Sequence, residues 1–324
     1  MIYTCHIASH CGDPVPGIIA KINIALSFFM AWFFFKGGMM HKKQPSRILL
    51  LQKSVKRLLV PYAIFILLGV LLHGIIKIIN DNQLAATAFF KDEIVHFLYT
   101  AEIPTVAPIW FLLSLFVVRL IFNVLVSKAH PVLITCIFIF VAFGLSVLQK
   151  WGLTKGISVM GVNFHILVPH YFGNICHGLA LYSLGYFLKE KQFSNAVFII
   201  ALVLFVLNLI IPAGIDFRAN TPWSGSYYLL AVIYEIAGCV VINNIFKRFV
   251  DIKIPFVTHV GSNSMVYYLV HYPVMCLTIS LLGNTLMDFG WWIRLLIVSS
   301  VVTMFLIFAE WLFRNKKLKF IVGA

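Results

Sequence analysis

Nine long apolar runs, each bounded by a short polar segment, set the pattern of the chain: near 18–38, 58–79, 108–127, 131–149, 166–188, 193–212, 223–246, 261–282 and 291–313. Each is about 20 residues long, which at ~1.5 Å of rise per residue is what an α-helix needs to cross the hydrocarbon core of a bilayer. The pattern predicts an all-α protein, a polytopic transmembrane helix bundle of nine full spans. Residues 1–12 read as a partial first helix, the end of a further span. One segment, 80–107, breaks the alternation. It holds one lysine and four acids, a modestly amphipathic piece at 89–99, then Pro104 and Pro108, and so predicts an interfacial segment outside the membrane. No internal repeat is visible.

Composition sharpens this picture. The 324 residues are 61% hydrophobic and 11% charged, with a mean hydropathy of +0.96, whereas soluble domains carry about a quarter charged residues. A water-soluble protein is excluded. The net charge of +14 could point to nucleic acid, but the basic residues sit in blocks between apolar runs, so no nucleic-acid partner is expected. Of the 25 Lys and Arg, 16 fall on one set of alternating loops and in the tail 314–324, against five on the opposite set. The positive-inside rule places the richer side, and with it the C-terminus, in the cytoplasm. Trp110, Trp151, Trp223, Trp291 and Trp292 then fall at outer span ends, where indole rings favour the interface.

Ionisable groups inside a bilayer are costly unless paired or facing a wet cavity, so candidate chemistry is sought among them. His6 and His10 are one helical turn apart, and an imidazole that titrates near neutrality suits a general base acting on a hydroxyl. No metal site is indicated: further ligands and an H-E-x-x-H pattern are lacking. His170 and His177, seven apart, are placed to line one cavity or to serve structure. Glu235, in the middle of a span, requires a wet cavity or a basic partner such as Arg119. His271, two residues before Pro273, is a candidate to satisfy backbone freed by the proline, or a cavity group. Lys36, Arg119 and Glu310 lie close enough to span ends to snorkel. Six scattered cysteines read as small apolar residues.

Four segments in order resemble one family. SFFMAWFFFKGGMMHKK (27–43) is similar to a second-helix motif F-x-M-P-x-F-F-F-x-S-G, and LLQKSVKRLLVPY (50–62) to a basic stretch leading into R-L-L-x-P-Y. PIWFLLSLF (108–116) resembles W-F-L-x-x-L-F, and GSNSMVYYLVHYPV (261–274) resembles G-x-x-S-x-x-x-Y-x-x-H-x-P. These mark the bacterial integral-membrane acyltransferase 3 family, O-acyltransferases of exported glycans, and the likeness extends over 1–324 as a single membrane domain. TCHIASH resembles the first-helix V-V-x-x-H and so implies His6 as the catalytic histidine. The resemblance also implies acetyl-CoA as donor substrate with no bound cofactor, and a glycan or lipid-linked sugar as acceptor. Its location would be the inner membrane.

The chain departs from the family pattern at several places. The basic residue usual eleven positions before the histidine would precede Met1, so the first helix reads as truncated. Ser54 stands at the first position of the cytoplasmic R-x-x-R, with Lys53 and Lys56 as substitutes beside Arg57. Ala31 and Lys36 depart from the second-helix motif. Acyl-CoA is expected to dock its phosphates on Lys53, Lys56 and Arg57, while His6 acts as base or acyl carrier. The competing readings are a transporter or flippase of lipid-linked sugar or polysaccharide, and an inactive truncated remnant.

Overall fold

The computed structural model describes residues 6, 16–42, 46–81, 86–155, 157–159, 162–164, 169–191, 193–211, 227–249 and 255–323. Apart from His6, which is helical, residues 1–15 lie outside this set, and so does the predicted partial first helix. The elements in chain order are α1 (Gly17–Ala25), α2 (Phe29–Met39) and α3 (Arg47–Ser54), which a π turn (Val55–Leu59) joins to α4 (Val60–Asp81). Then come α5 (Ala86–Thr100), a 3₁₀ turn (Pro104–Ile109), α6 (Trp110–Leu125) and α7 (Pro131–Lys155). A short antiparallel hairpin, β1 (Ile157–Val159) and β2 (Val162–Phe164), pairs Ile157 with Phe164. The chain continues through α8 (His170–Leu188), α9 (Asn195–Ile210), α10 (Tyr228–Phe249), α11 (Pro255–Ser262), α12 (Ser264–Met287) and α13 (Trp291–Phe313), and ends in a 3₁₀ turn (Lys319–Val322).

Over the described residues all nine apolar runs are helical, the first of them as two helices, α1 and α2. Among the described residues, however, seven helical stretches are long and apolar enough to span a membrane: Gly17–Met39, Arg47–Asn80, Thr87–Leu125, Pro131–Leu148, Tyr228–Lys247, Ser264–Gly283 and Trp291–Phe313. Of the other two, α9 is apolar but has only 16 residues, and α8 carries His170, Asn174, His177 and Ser183. The protein is thus a polytopic, all-helical membrane protein, with seven such stretches among the described residues. On α4, Leu67, Leu71, Ile75 and Ile78 are all at least half exposed at helical spacing, the stripe expected where lipid replaces protein as neighbour.

The chain forms two compact units: Met1–Ala20, Gln52–Leu113 and Lys253–Ala324 make one, and Lys21–Leu51 with Ser114–Ile252 the other. In the first unit, the segment read from sequence as interfacial folds back onto α4. The Tyr62 hydroxyl donates to the Ala101 carbonyl at 2.9 Å, the Thr105 hydroxyl donates to the Gly69 carbonyl at 2.8 Å, and His73 pairs with Glu93 at 2.7 Å. Gly69 is required here, because a Cβ would lie 2.6 Å from Val106. Ala101 accepts the Tyr62 bond from a left-handed conformation, φ 59°, a strain that an alanine sustains only where neighbours fix the backbone. Trp110, expected at the interface, is buried with its ring edge against Phe111. The core of this unit is Tyr272, Met275, Leu286, Val298 and Val302.

In the second unit, α2 and α8 pack backbone against backbone. A Cβ on Gly38 would lie 1.9 Å from the Tyr182 carbonyl oxygen, and one on Gly185 would lie 1.9 Å from that of Phe35. Small residues at facing positions let two helices approach this closely. Phe34, Phe35 and Tyr182 are consequently buried.

Candidate active site

His6 lies in the first unit with its ring centroid 5.5 Å from that of His271, the planes tilted by 35°, and 5.1 Å edge-on from Tyr272. His10, its sequence rival, lies outside the described residues. α12 presents His271 and Tyr272 at adjacent positions, just before Pro273. The Nδ1 of His271 bonds the Tyr267 carbonyl at 2.9 Å, so it carries the proton, since a carbonyl can only accept. This corrects the expectation that His271 satisfies backbone freed by the proline, because the carbonyl Pro273 leaves unpaired is that of Leu269, four residues back. Nε2 of His271 is buried and has no hydrogen-bond partner among the described residues. The Tyr268 hydroxyl donates to the Pro108 carbonyl, fastening α12 to the turn that precedes α6. Between that turn and the stretch from Tyr268 to Pro273 lies a cleft of about 190 Å³, its open mouth included, with Tyr272 on its wall.

The basic cluster falls in the same unit, not in a loop but on helix. Lys53 closes α3, and Lys56 and Arg57 lie in the π turn; all three are exposed. π turns recur at functional sites because the extra residue shifts the register of the side chains that follow. Ser54, at the position the family pattern gives to arginine, is fully buried, so the exposed Lys53 and Lys56 carry the charge beside Arg57. The C-terminal turn closes over this stretch: Gly323, at φ +72°, comes so near that a Cβ would lie 2.4 Å from the Arg57 carbonyl oxygen.

The remaining candidates belong to the second unit. Glu235 on α10 does not pair with Arg119. Its Oε2 lies 2.8 Å from His177 Nε2 on α8, both side chains shut off from solvent, and His177 Nδ1 is 2.8 Å from the Tyr228 hydroxyl. The carboxylate contact is short but poorly aligned for a hydrogen bond. Asn174, which sequence reading passed over, shares the His170 and His177 face of α8 and is fully buried. Arg119 instead hydrogen-bonds Tyr182, whose hydroxyl also meets His41 Nδ1 at 2.9 Å. Burial, helped by the charges of Arg119 and Lys189, lowers the His41 pKa to about 4. Neutral at physiological pH, His41 shares a hydrogen bond with the Tyr182 hydroxyl.

Glu310 keeps a structural place. Tyr267 donates to it at 2.5 Å, Arg314 at 2.8 Å, and His259 lies at 3.0 Å, which ties α11, α12 and α13 together at one end. Tyr267 and His259 had no signal in the sequence beyond their positions beside the H-x-P motif.

The acyltransferase 3 family model, an acyltransferase domain, matches residues 1–310, and the chain belongs to this family of membrane acyltransferases. No curated protein and no solved structure matches it.

Proposed function

We propose that the protein is an O-acyltransferase that carries an acetyl group from cytoplasmic acetyl-CoA to a hydroxyl of a cell-surface or exported glycan, with His6 as the catalytic histidine. The observation that carries this reading is the position of His6, held against His271 and Tyr272 in a chain matched almost end to end by the acyltransferase family. The protein would sit in a bacterial inner membrane with its C-terminus in the cytoplasm, as the distribution of basic residues favours.

Lys53, Lys56 and Arg57 would hold the CoA phosphates, since clustered cations and a planar guanidinium suit that ligand. His6 takes the proton of the acceptor hydroxyl as its oxygen attacks the thioester carbon. The C–S bond breaks, and the departing thiolate recovers that proton as CoA thiol. Arg119, His177 and Glu235, in the other unit, are assigned no step.

Mass analysis of surface glycans from cells with and without the gene tests the reading. Loss of one acetyl mass on deletion is expected. Unchanged glycan masses, with export of the glycan impaired instead, would overturn it in favour of a transporter.

A further inference from the structure

A group of cations in the second unit has no task in acyl transfer. Arg119 on α6, Lys189 just past the end of α8 and His41 just past the end of α2 converge. The charges of Arg119 and Lys189 both act on the His41 ring, and the Arg119 guanidinium also reaches the Tyr182 hydroxyl that His41 Nδ1 meets at 2.9 Å. The His41 ring stands edge-on to Phe122, Tyr182 and Tyr186, and the Lys189 ammonium lies 4.5 Å over the Tyr186 ring. Among the described residues no carboxylate pairs with Arg119, and Glu190, 3.5 Å from Lys189, is itself exposed.

His41 supplies a second, independent sign of a ligand. It is 7% exposed, and with Nδ1 turned to Tyr182, its buried Nε2 has no hydrogen-bond partner among the described residues. Leaving such an atom unmet is unfavourable, and two cations beside it call for an anion. A guanidinium with an ammonium suits phosphate. The surroundings favour a lipid over a soluble phosphate. Arg119 lies six residues before Leu125, the last of α6, and so about 9 Å inside an apolar span. At this end α7 packs on α8, the Ser183 hydroxyl donating to the Pro131 carbonyl at 2.8 Å, and Leu133, Ile137 and Phe140 then run along α7 as an exposed apolar stripe on which acyl tails can lie.

We propose that Arg119, Lys189 and His41 bind the phosphate of an anionic phospholipid headgroup, as basic pockets between spanning helices do. The two cations meet its charge, and His41 Nε2–H donates to its oxygen while the Tyr182 hydroxyl donates to Nδ1. The site shares no residue with the acyl-transfer site and does not rest on that reading.

Native mass spectrometry of the purified protein in detergent, with phosphatidylglycerol, phosphatidylcholine, inorganic phosphate or CoA as the added probe, tests it. The wild-type protein should retain phosphatidylglycerol and not phosphatidylcholine, and neither inorganic phosphate nor CoA should displace the lipid. A Lys or Arg near a headgroup is worth about 1 kcal/mol, so R119Q and K189Q should each weaken retention about fivefold. K317Q, which removes an exposed charge from the tail, should leave it unchanged. The Lys189 side chain is partly exposed, so K189Q spares the core and decides the matter if R119Q fails to fold. Equal retention of phosphatidylcholine, displacement by inorganic phosphate or CoA, unchanged retention in K189Q, or an equal loss in K317Q would each overturn the proposal.

Discussion

Glu235 Oε2 lies 2.8 Å from His177 Nε2, across 58 residues of sequence, with neither side chain reaching solvent. Removing one partner of such a pair strands the other where it cannot be solvated. Glu235→Ala is therefore expected to cost about 3–5 kcal/mol of stability, and Glu235→Gln less, because an amide still meets the imidazole. Apparent Tm in detergent measures the order. An alanine variant as stable as wild type would mean that the contact is not made.

The close approach of α2 and α8 depends on two glycines whose added Cβ would enter a facing carbonyl. Gly185→Ala, or Gly38→Ala, forces backbone rather than a side chain to move, so the cost should lie at or above the ~1–3 kcal/mol usual for overpacking. Yield of monodisperse protein on size exclusion should fall sharply, whereas Gly144→Ala, which meets open space, should leave it unchanged.

His41 gives stability a pH dependence of defined sign. Unfolded, its imidazole takes a proton near 6.5; folded, desolvation and the neighbouring Arg119 and Lys189 delay this to about 4. The unfolded state thus binds the extra proton between those values, and the His41 contribution, complete above pH 6.5, is lost as pH falls toward 4. Apparent Tm measured from pH 7.5 down to 4.5 should fall less steeply for His41→Asn than for wild type.

If Lys53, Lys56 and Arg57 hold the CoA phosphates, Arg57→Gln should raise KM for acetyl-CoA about tenfold while kcat at saturation changes little, and the defect should shrink as salt screens the remaining charges. An unchanged KM at low salt would remove the cluster from the donor site.

Much of the fold was legible because a bilayer enforces it. Over the described residues the nine apolar runs are helical, since lipid leaves the backbone no other way to satisfy itself. Contacts between distant segments were not legible. The sequence showed 80–107 as polar enough for the interface, but the bonds that bury it, from Tyr62 to Ala101 and from Thr105 to Gly69, join residues 36 or more apart. Glu235 was visible as a buried charge in need of a partner, yet hydropathy cannot tell Arg119 from His177. His6 and His271 were each flagged by chemistry and motif. Their adjacency, with more than 260 residues between them, came only from the folded chain.

The central claim, that His6 carries acyl transfer, is tested most directly by complementing a deletion strain with His6→Ala, verified as folded by its apparent Tm, and measuring the acetyl content of the surface glycan. The account predicts glycan lacking the acetyl mass, indistinguishable from the deletion. Wild-type acetylation in cells carrying only that variant would contradict it.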